Sequence, residues 1–308
     1  MIFQKPLMSF DYAIKYLLKD KGDFSIVEGF ISALLKTQGY GNVKIIGLVD
    51  PESNKEDPKD KRSIADVIVE DENKNKYIIE IERNVKDSFI HKACFNTARL
   101  TVDSLAQRED YLEIVKIFHI SLLYFTVGKG AIYHGKTIIH EIHTHEKLSV
   151  TLTDKETKKT FESTDIFPEF FFISVPGFNE KLEEEMDDWL YVLKHDDVPK
   201  TFHSSYMNQV AEKLSILKMS KSERREYSSY LKKIYNDRDE LNAAEGRGIE
   251  KGIEKGKEEG IAIGVEKGLN EGKILVAKNL LSAGVEEAVI LNATSLSLEE
   301  LREIKESK

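Results

Sequence analysis

The stretch KYIIEIERN (residues 76–84) decides how the chain is read. Tyr77, Ile78, Ile79 and Ile81 supply the β-branched and aromatic density of a strand. Side chains on a strand alternate faces, so Glu80 and Glu82 project from one side as neighbours, out of an otherwise apolar segment. A core strand that carries two adjacent like charges on one face needs a reason for them.

Immediately upstream, IADVIVED (64–71) reads as a second strand, and ENKN between the two is a hairpin signal with a four-residue loop. Pairing of Val69 with Tyr77 across that loop puts Asp66 opposite Glu80, with Cβ atoms roughly 5 Å apart on the same face. Glu82 lies one strand step further along. Carboxylates so placed repel and raise one another's pKa unless positive charge intervenes, and their hard oxygens suit Mg²⁺ or Mn²⁺. Such a site supports phosphodiester hydrolysis, in which the ion polarises the phosphoryl oxygen and a remaining carboxylate orients or deprotonates water. Spacing alone leaves a second reading open: Glu80 and Glu82 line a solvated strand face and pair with Arg83, Lys76 or Lys61.

Outward from the hairpin, SFDYAIKYLLKDKGDFSIVEGFISALLKTQGYGN (9–42) carries apolar residues at helical spacing and reads as two helices, with Asp23 or Ser25 capping the second and Gly39 just past its end. VKIIGLVD is a short strand, and PESNKEDPKDKRS, with two prolines and many charges, is a loop. DSFIHKACFNTARLTVDSLAQRE (87–109) reads as a helix leading into the apolar strand VKIFHISLLYF. The order helix, helix, strand, strand, strand, helix, strand gives an α/β domain with a mixed sheet, the last helix being a crossover.

Residues 131–175 stay strand-like, whereas NEKLEEEMDDWLYVLKHDD and SSYMNQVAEKLSILKM are amphipathic helices. From 248 to 272 the chain repeats a tetrad with glycine at every fourth position, usually followed by Ile, Val or Leu. Each interior glycine costs about 1 kcal/mol relative to alanine, so the run is a poor helix in isolation. Either its glycine ridge, with Ile249, Ile253, Ile261, Val265 and Leu269, lets another helix approach closely, or it is a solvated helix kept soluble by its charges. The following segment reads as a small helical pair with Ser297 and Glu300 forming a capping box.

Composition bounds the function. The 308 residues, 41% apolar, suffice for a large core, and a formal charge of −9 argues against coating nucleic acid by bulk electrostatics while leaving room for a local basic rim. A single cysteine, Cys94, excludes an intrachain disulfide and a cysteine-based zinc cage and agrees with a reducing cytoplasm. No signal peptide is expected, and the most apolar run, IVKIFHISLLYFTV (114–127), falls short of the roughly 20 residues of a membrane span.

SIADVIVEDENKNKYIIEIERN resembles the motif II and III hairpin of the PD-(D/E)XK nuclease superfamily. The opening FDYAIKYLL, the helix HKACFNTARLTVDSLAQREDY before IVKIFHISLLYF, and the tail of EKG tetrads ending in LSLEELREI resemble one branch, the recombination-promoting nuclease (Rpn) and transposase family. The resemblance implies a restriction-endonuclease-like core with a helical C-terminal extension, Mg²⁺-dependent cleavage of DNA, and a role in RecA-independent recombination. By position, Asp66 matches the metal-binding aspartate and Glu80 the metal-binding acid, with the carbonyl of Ile81 completing the shell. Glu82 falls where the superfamily usually has Lys and this family usually has Gln, although some restriction endonucleases of the superfamily carry Glu there. Asp11 matches a family aspartate with a supporting role; from the residues alone it reads as a helix N-cap.

The expected organisation is a nuclease-like domain over 1–200 (core about 10–127, strand-rich extension 131–178), a helical connector over 201–244, and the glycine-tetrad tail over 245–308, through which copies of the chain would associate. A chain that keeps the nuclease scaffold but acts through that tail is the alternative function. His134, His140, His143 and His145 form the other conceivable metal cluster, with Glu141, His143 and His145 sharing a face if the segment is a strand. KLSILKMSKSERREYSSYLKK mixes basic and aromatic residues, but Glu223 and Glu226 interrupt it as on a solvated helix. Neither a phosphate-binding glycine loop nor a nucleophile elbow is present.

Overall fold

The structure, a computed structural model, describes residues 7–17, 22–49, 66–85, 87–105, 111–153 and 158–306. Two helices open the chain, α1 (Phe10–Lys15) and α2 (Ser25–Lys36). The apolar run of α2 buries every residue from Ile26 to Leu35. Asp23 organises its entry by accepting hydrogen bonds from the Ser25 backbone at 3.1 Å and its hydroxyl at 2.8 Å. The N-cap position itself falls to Phe24. Gly39, at φ +82°, turns the chain out of the helix in the left-handed region that glycine adopts without strain.

The strand β1 (Ile45–Leu48) then pairs antiparallel with β2 (Val67–Asp71), and β2 with β3 (Lys76–Glu82), in the register Val69 to Tyr77 expected from sequence. Asp71 builds the loop between β2 and β3. Its carboxylate accepts from the backbone of Asn73 and of Asn75, both at 2.9 Å, while Lys74 takes a positive φ of 65°. Helix α3 (Phe89–Asp103) carries the chain over the sheet to β4 (Ile117–Leu123), which lies parallel to β3. Every residue of β4 is buried, His119 and Ser121 included, as befits a central strand with a neighbour on either side. The loop expected at 51–63 lies outside the described residues.

Next come β5 (Ile132–Gly135), β6 (Ser149–Thr153), β7 (Lys158–Glu162), the short helix α4 (Ser163–Ile166) and β8 (Glu169–Ser174). The main sheet has six strands in the order β1-β2-β3-β4-β8-β5, and β6 and β7 form a separate hairpin. The expected strand through residues 137–145 does not form. Residues 142–144 are a turn instead, held by the Glu141 carboxylate accepting from the backbone of His143 at 2.7 Å and of Thr144 at 2.5 Å.

Both faces of the sheet are covered. On one, Ile68, Ile78 and Ile117 pack beneath Leu100 of α3. On the other, Val67, Val69, Tyr77, Ile79, Phe118, Ile120 and Phe171 are buried, and the Tyr77 and Phe118 rings stack at 5.1 Å. Helices α5 (Glu185–His195) and α6 (Met207–Lys213) follow. Trp189 of α5 meets Phe10 and Phe30 edge-on at 5.9 Å each. By compactness the chain divides into Met1–Ser228 and Ser229–Lys308, whereas the sequence reading set boundaries at 200 and 244. Met207, Val210, Leu214, Ile216, Met219 and Tyr227 are all buried before the break at 228.

The tetrad repeat lies within one continuous helix, α7 (Lys221–Ser282). None of its glycines from Gly246 to Gly272 would bring an added Cβ within 4 Å of another group, and Ile249, Ile253, Ile261, Val265 and Leu269 are exposed. The second unit has its own small core, in which Ala277 packs with Ile290 of α8 (Glu287–Thr294) and with Leu301 and Ile304 of α9 (Leu298–Glu306). The expected capping box starts α9: Glu300 accepts from the Ser297 backbone at 2.7 Å, and the Ser297 hydroxyl accepts from the Glu300 backbone at 3.2 Å. Among the described residues, no helix is long and apolar enough to cross a membrane.

Candidate active site

Glu80 and Glu82 share the face of β3 that α3 covers, because Ile78 at the same parity packs against Leu100. Lys92, Asn96 and Leu100 recur at four-residue intervals along α3 and run alongside Glu82, Glu80 and Ile78 in that order. One end of the helix–strand contact is therefore apolar and the other is a buried polar cluster. Glu80 is 2% and Glu82 5% exposed.

The acids are not left to repel one another. Lys92 reaches between them, its ammonium 2.6 Å from Glu82 Oε1 and 3.5 Å from Glu80 Oε2. Asn96 donates from Nδ2 to Glu80 Oε1. Burial pushes the Glu80 carboxyl above its ordinary pKa, and the charges of Glu82 and Asp66 push the same way; Lys92 opposes them without cancelling the shift. Burial works to lower the Lys92 pKa, but its bond to Glu82 and the charges of both glutamates outweigh that, and it titrates above its ordinary value.

Asp66 sits just before β2, and its Oδ2 accepts the backbone N–H of Ile81 at 2.8 Å. The aspartate is thus tied to the residue between the two glutamates. Asp11 is not the N-cap of α1, a position held by Ser9. Its buried carboxylate instead accepts from Arg83, from Nε at 3.1 Å and also from the second guanidinium nitrogen, and the guanidinium lies 4.5 Å from the Tyr124 ring centroid. Asp11 therefore anchors the chain directly after Glu82.

Two of the cations named by the solvated-face reading have other partners. Arg83 pairs with Asp11, Lys76 donates to Ser104 Oγ at 2.8 Å, and Lys61 lies outside the described residues. The three acids do not close into a cage of their own, since no group of three or more His, Cys, Asp or Glu among the described residues is arranged to hold a metal. The ammonium of Lys92 provides the positive charge that the sequence reading assigned either to a divalent cation or to Arg83, Lys76 or Lys61. The same finding removes the histidine cluster: His140 Nδ1 lies 2.9 Å from the carbonyl of His145, and His134 Nε2 lies 2.7 Å from buried Glu169.

Sequence reasoning missed Lys92, Asn96, His119 and Ser121. The last two stand on β4, where Ser121 pairs with Glu80 and His119 with Ile78. Their signal was legible. IFHISLL has two polar residues at alternate positions in an otherwise apolar strand, the same pattern as Glu80 and Glu82 on the neighbouring one. Lys92 and Asn96 carried only the i, i+4 spacing of one helix face, which becomes informative once that face is known to cover the acids.

Residues 8–244, more than half of the chain, match the family described as PD-(D/E)XK nuclease family transposase, and the chain belongs to that family. The six-stranded mixed sheet with its flanking helices accords with the restriction-endonuclease-like fold of that family. No curated protein and no solved structure matches the chain.

Proposed function

We propose that this member of the PD-(D/E)XK nuclease family transposases is a metal-dependent DNA endonuclease centred on Asp66, Glu80 and Glu82. The observation that carries the reading is the buried juxtaposition of Glu80 and Glu82 with Lys92 between them, at the end of β3 to which Asp66 is tied. The donors fit a hard divalent cation, Mg²⁺ or Mn²⁺: they are carboxylate oxygens, and burial, with a smaller push from the charges of Glu82 and Asp66, holds the Glu80 pKa above its ordinary value. Asp66, Glu80 and the carbonyl of Ile81 would hold that ion. When bound, it would polarise the scissile phosphate and favour hydroxide over water.

The side chains supply the rest. Glu82 orients the attacking water and accepts its proton. Lys92 restores an amine at the place where the chain carries Glu82 in the usual lysine position; its ammonium steadies negative charge building on the phosphate, and it stays protonated because its pKa is raised. Asp11 supports the site by fixing Arg83, the residue after Glu82. DNA is the substrate this family implies. The recombination role, the cytoplasmic location and the functional division at 200 and 244 are parts of the same proposal.

A second reading is favoured by one observation. The tail presents a row of exposed Ile, Val and Leu beside unobstructed glycines, as a surface for joining copies of the chain would. The scaffold would then act as an interaction module through residues 245–308. Nicking of supercoiled plasmid separates the two: the wild type cuts with Mg²⁺ or Mn²⁺ and stops with EDTA, and Asp66→Ala abolishes cutting. Equal cleavage by the variant and the wild type refutes the assignment.

A further inference from the structure

We propose that the site takes DNA as an unpaired strand, whose bases stack on an aromatic shelf around Phe172 beside the acids and whose phosphates meet Lys129 on the loop between β4 and β5. The inference rests on the nuclease reading above and narrows its substrate.

The sheet register lays out the shelf. On the face that carries the acids, Glu80 pairs with Ser121, Ser121 with Phe172 and Phe172 with Tyr133, so the four residues form one row across the sheet. Two strand spacings, about 10 Å, separate Glu80 from Phe172, within reach of the nucleotide next to a phosphate held at the acids. Phe170 and Phe172 are half-buried, and their rings lie parallel within 6° at 6.3 Å. Phe89, at the start of α3, meets Phe172 edge-on at 5.5 Å and Phe125 at 5.9 Å, so the rings continue toward the chain that follows β4. Where α3 closes over the same face, the filling is aliphatic, with Ile68, Ile78 and Ile117 beneath Leu100. Where the face is only partly covered, it is aromatic, and each ring offers a π-face on which any base can stack.

The loop after β4 follows directly on Leu123, the residue paired with Glu82, and so leaves the sheet at the end where the acids lie. It is held at several points. Val127 donates its backbone N–H to Ser174 Oγ at 3.3 Å, the Ser174 hydroxyl donates to the Phe125 carbonyl at 2.9 Å, and the Gly130 N–H donates to the Tyr133 hydroxyl at 2.7 Å. Gly128 stands at φ +60°, where a Cβ would also run into the Tyr133 hydroxyl. Between these two fixed glycines Lys129 is exposed. From Tyr124 to His140 the chain carries Lys129 and Lys136 and no acid, although it has 54 acids in all and a net charge of −9. A cation on a rigid loop loses little freedom when it meets a phosphate, and the glycines beside it let a strand come close. Aromatic rings next to such a cation suit a single strand, because a closed duplex keeps its base faces stacked on one another.

Fluorescence anisotropy of a labelled oligothymidine strand and of a duplex of the same length is measured for the full chain in EDTA, so that no metal-dependent cutting intervenes, with circular dichroism to check folding. The single strand should bind more tightly than the duplex. Phe172→Leu should weaken single-strand binding by about fivefold or more and leave duplex binding unchanged, and Phe172→Trp should keep the single-strand affinity. Lys129→Gln, an exposed substitution that leaves the core intact, should flatten the slope of log K against log salt for the single strand by about 0.7. A duplex bound as tightly as the single strand, wild-type affinity in Phe172→Leu, or an unchanged salt slope in Lys129→Gln overturns the proposal. Any of these beside Asp66-dependent nicking leaves the nuclease reading standing, whereas a wild type that nicks nothing removes that reading and the substrate assignment with it.

Discussion

Replacing Lys92 by methionine removes the ammonium and keeps most of the packed stem. Glu80 and Glu82 then remain almost fully buried and lose the ammonium that bridges them. Breaking a fully buried ion pair by deleting one partner costs about 3–5 kcal/mol, and a surface pair is worth about 0–1 kcal/mol. The Lys92 side chain is 34% exposed, so water screens part of the interaction, and an intermediate loss of about 2 kcal/mol is expected. For a unit of this size that is about 4–8 °C in Tm. Scanning calorimetry in EDTA measures it. Part of the loss should return when Glu82→Gln is added to Lys92→Met, because one of the two adjacent buried charges is then gone. Mn²⁺ should also raise the Tm of Lys92→Met more than that of the wild type, since the ion meets no competing ammonium. A variant as stable as the wild type in EDTA, with no coupling to Glu82, would refute the assignment of Lys92 as the counter-charge of this cluster.

The pH dependence of stability carries a second expectation: with a folded pKa near 3, His119 stays neutral where the unfolded chain takes up a proton, so its contribution is complete above the ordinary histidine pKa and is lost as pH falls toward 3. Urea titrations from pH 7 to 5 should show a decline that His119→Gln reduces; an unchanged slope would mean another group causes it. Glu80 works in the opposite sense, because its folded pKa is raised, so Glu80→Gln should stabilise the metal-free protein at neutral pH and lose that gain below the ordinary carboxylate pKa. Leu100→Ala opens a hole between α3 and the isoleucines of the sheet and should cost about 2–4 kcal/mol in denaturant midpoint analysis. Gly260→Ala with Gly264→Ala should raise the thermal stability of α7 by about 1 kcal/mol per site, because the added methyls meet nothing within 4 Å. A loss of stability or a change in mass by light scattering would reveal that the glycine ridge packs against another molecule.

The sequence by itself determined the hairpin, its register and the side-by-side placement of Glu80 and Glu82, because strand alternation and a four-residue loop are local rules. It also determined α2, the crossover order and the capping box at Ser297, each set by residues within a few positions of one another. It misread residues 137–145, where alternation suggested a strand but Glu141 could bond the backbone of the next residues and close a turn. Only the tertiary structure decided what lies against the acids. Lys92 comes from a helix ten residues beyond Glu82 and His119 from the next strand of the sheet, so their roles depend on which face of α3 turns inward and on the parallel register of β3 with β4. Whether two buried carboxylates repel, bind a lysine or await a cation is an electrostatic question about neighbours brought together by packing, and a pattern along one strand contains no information about them.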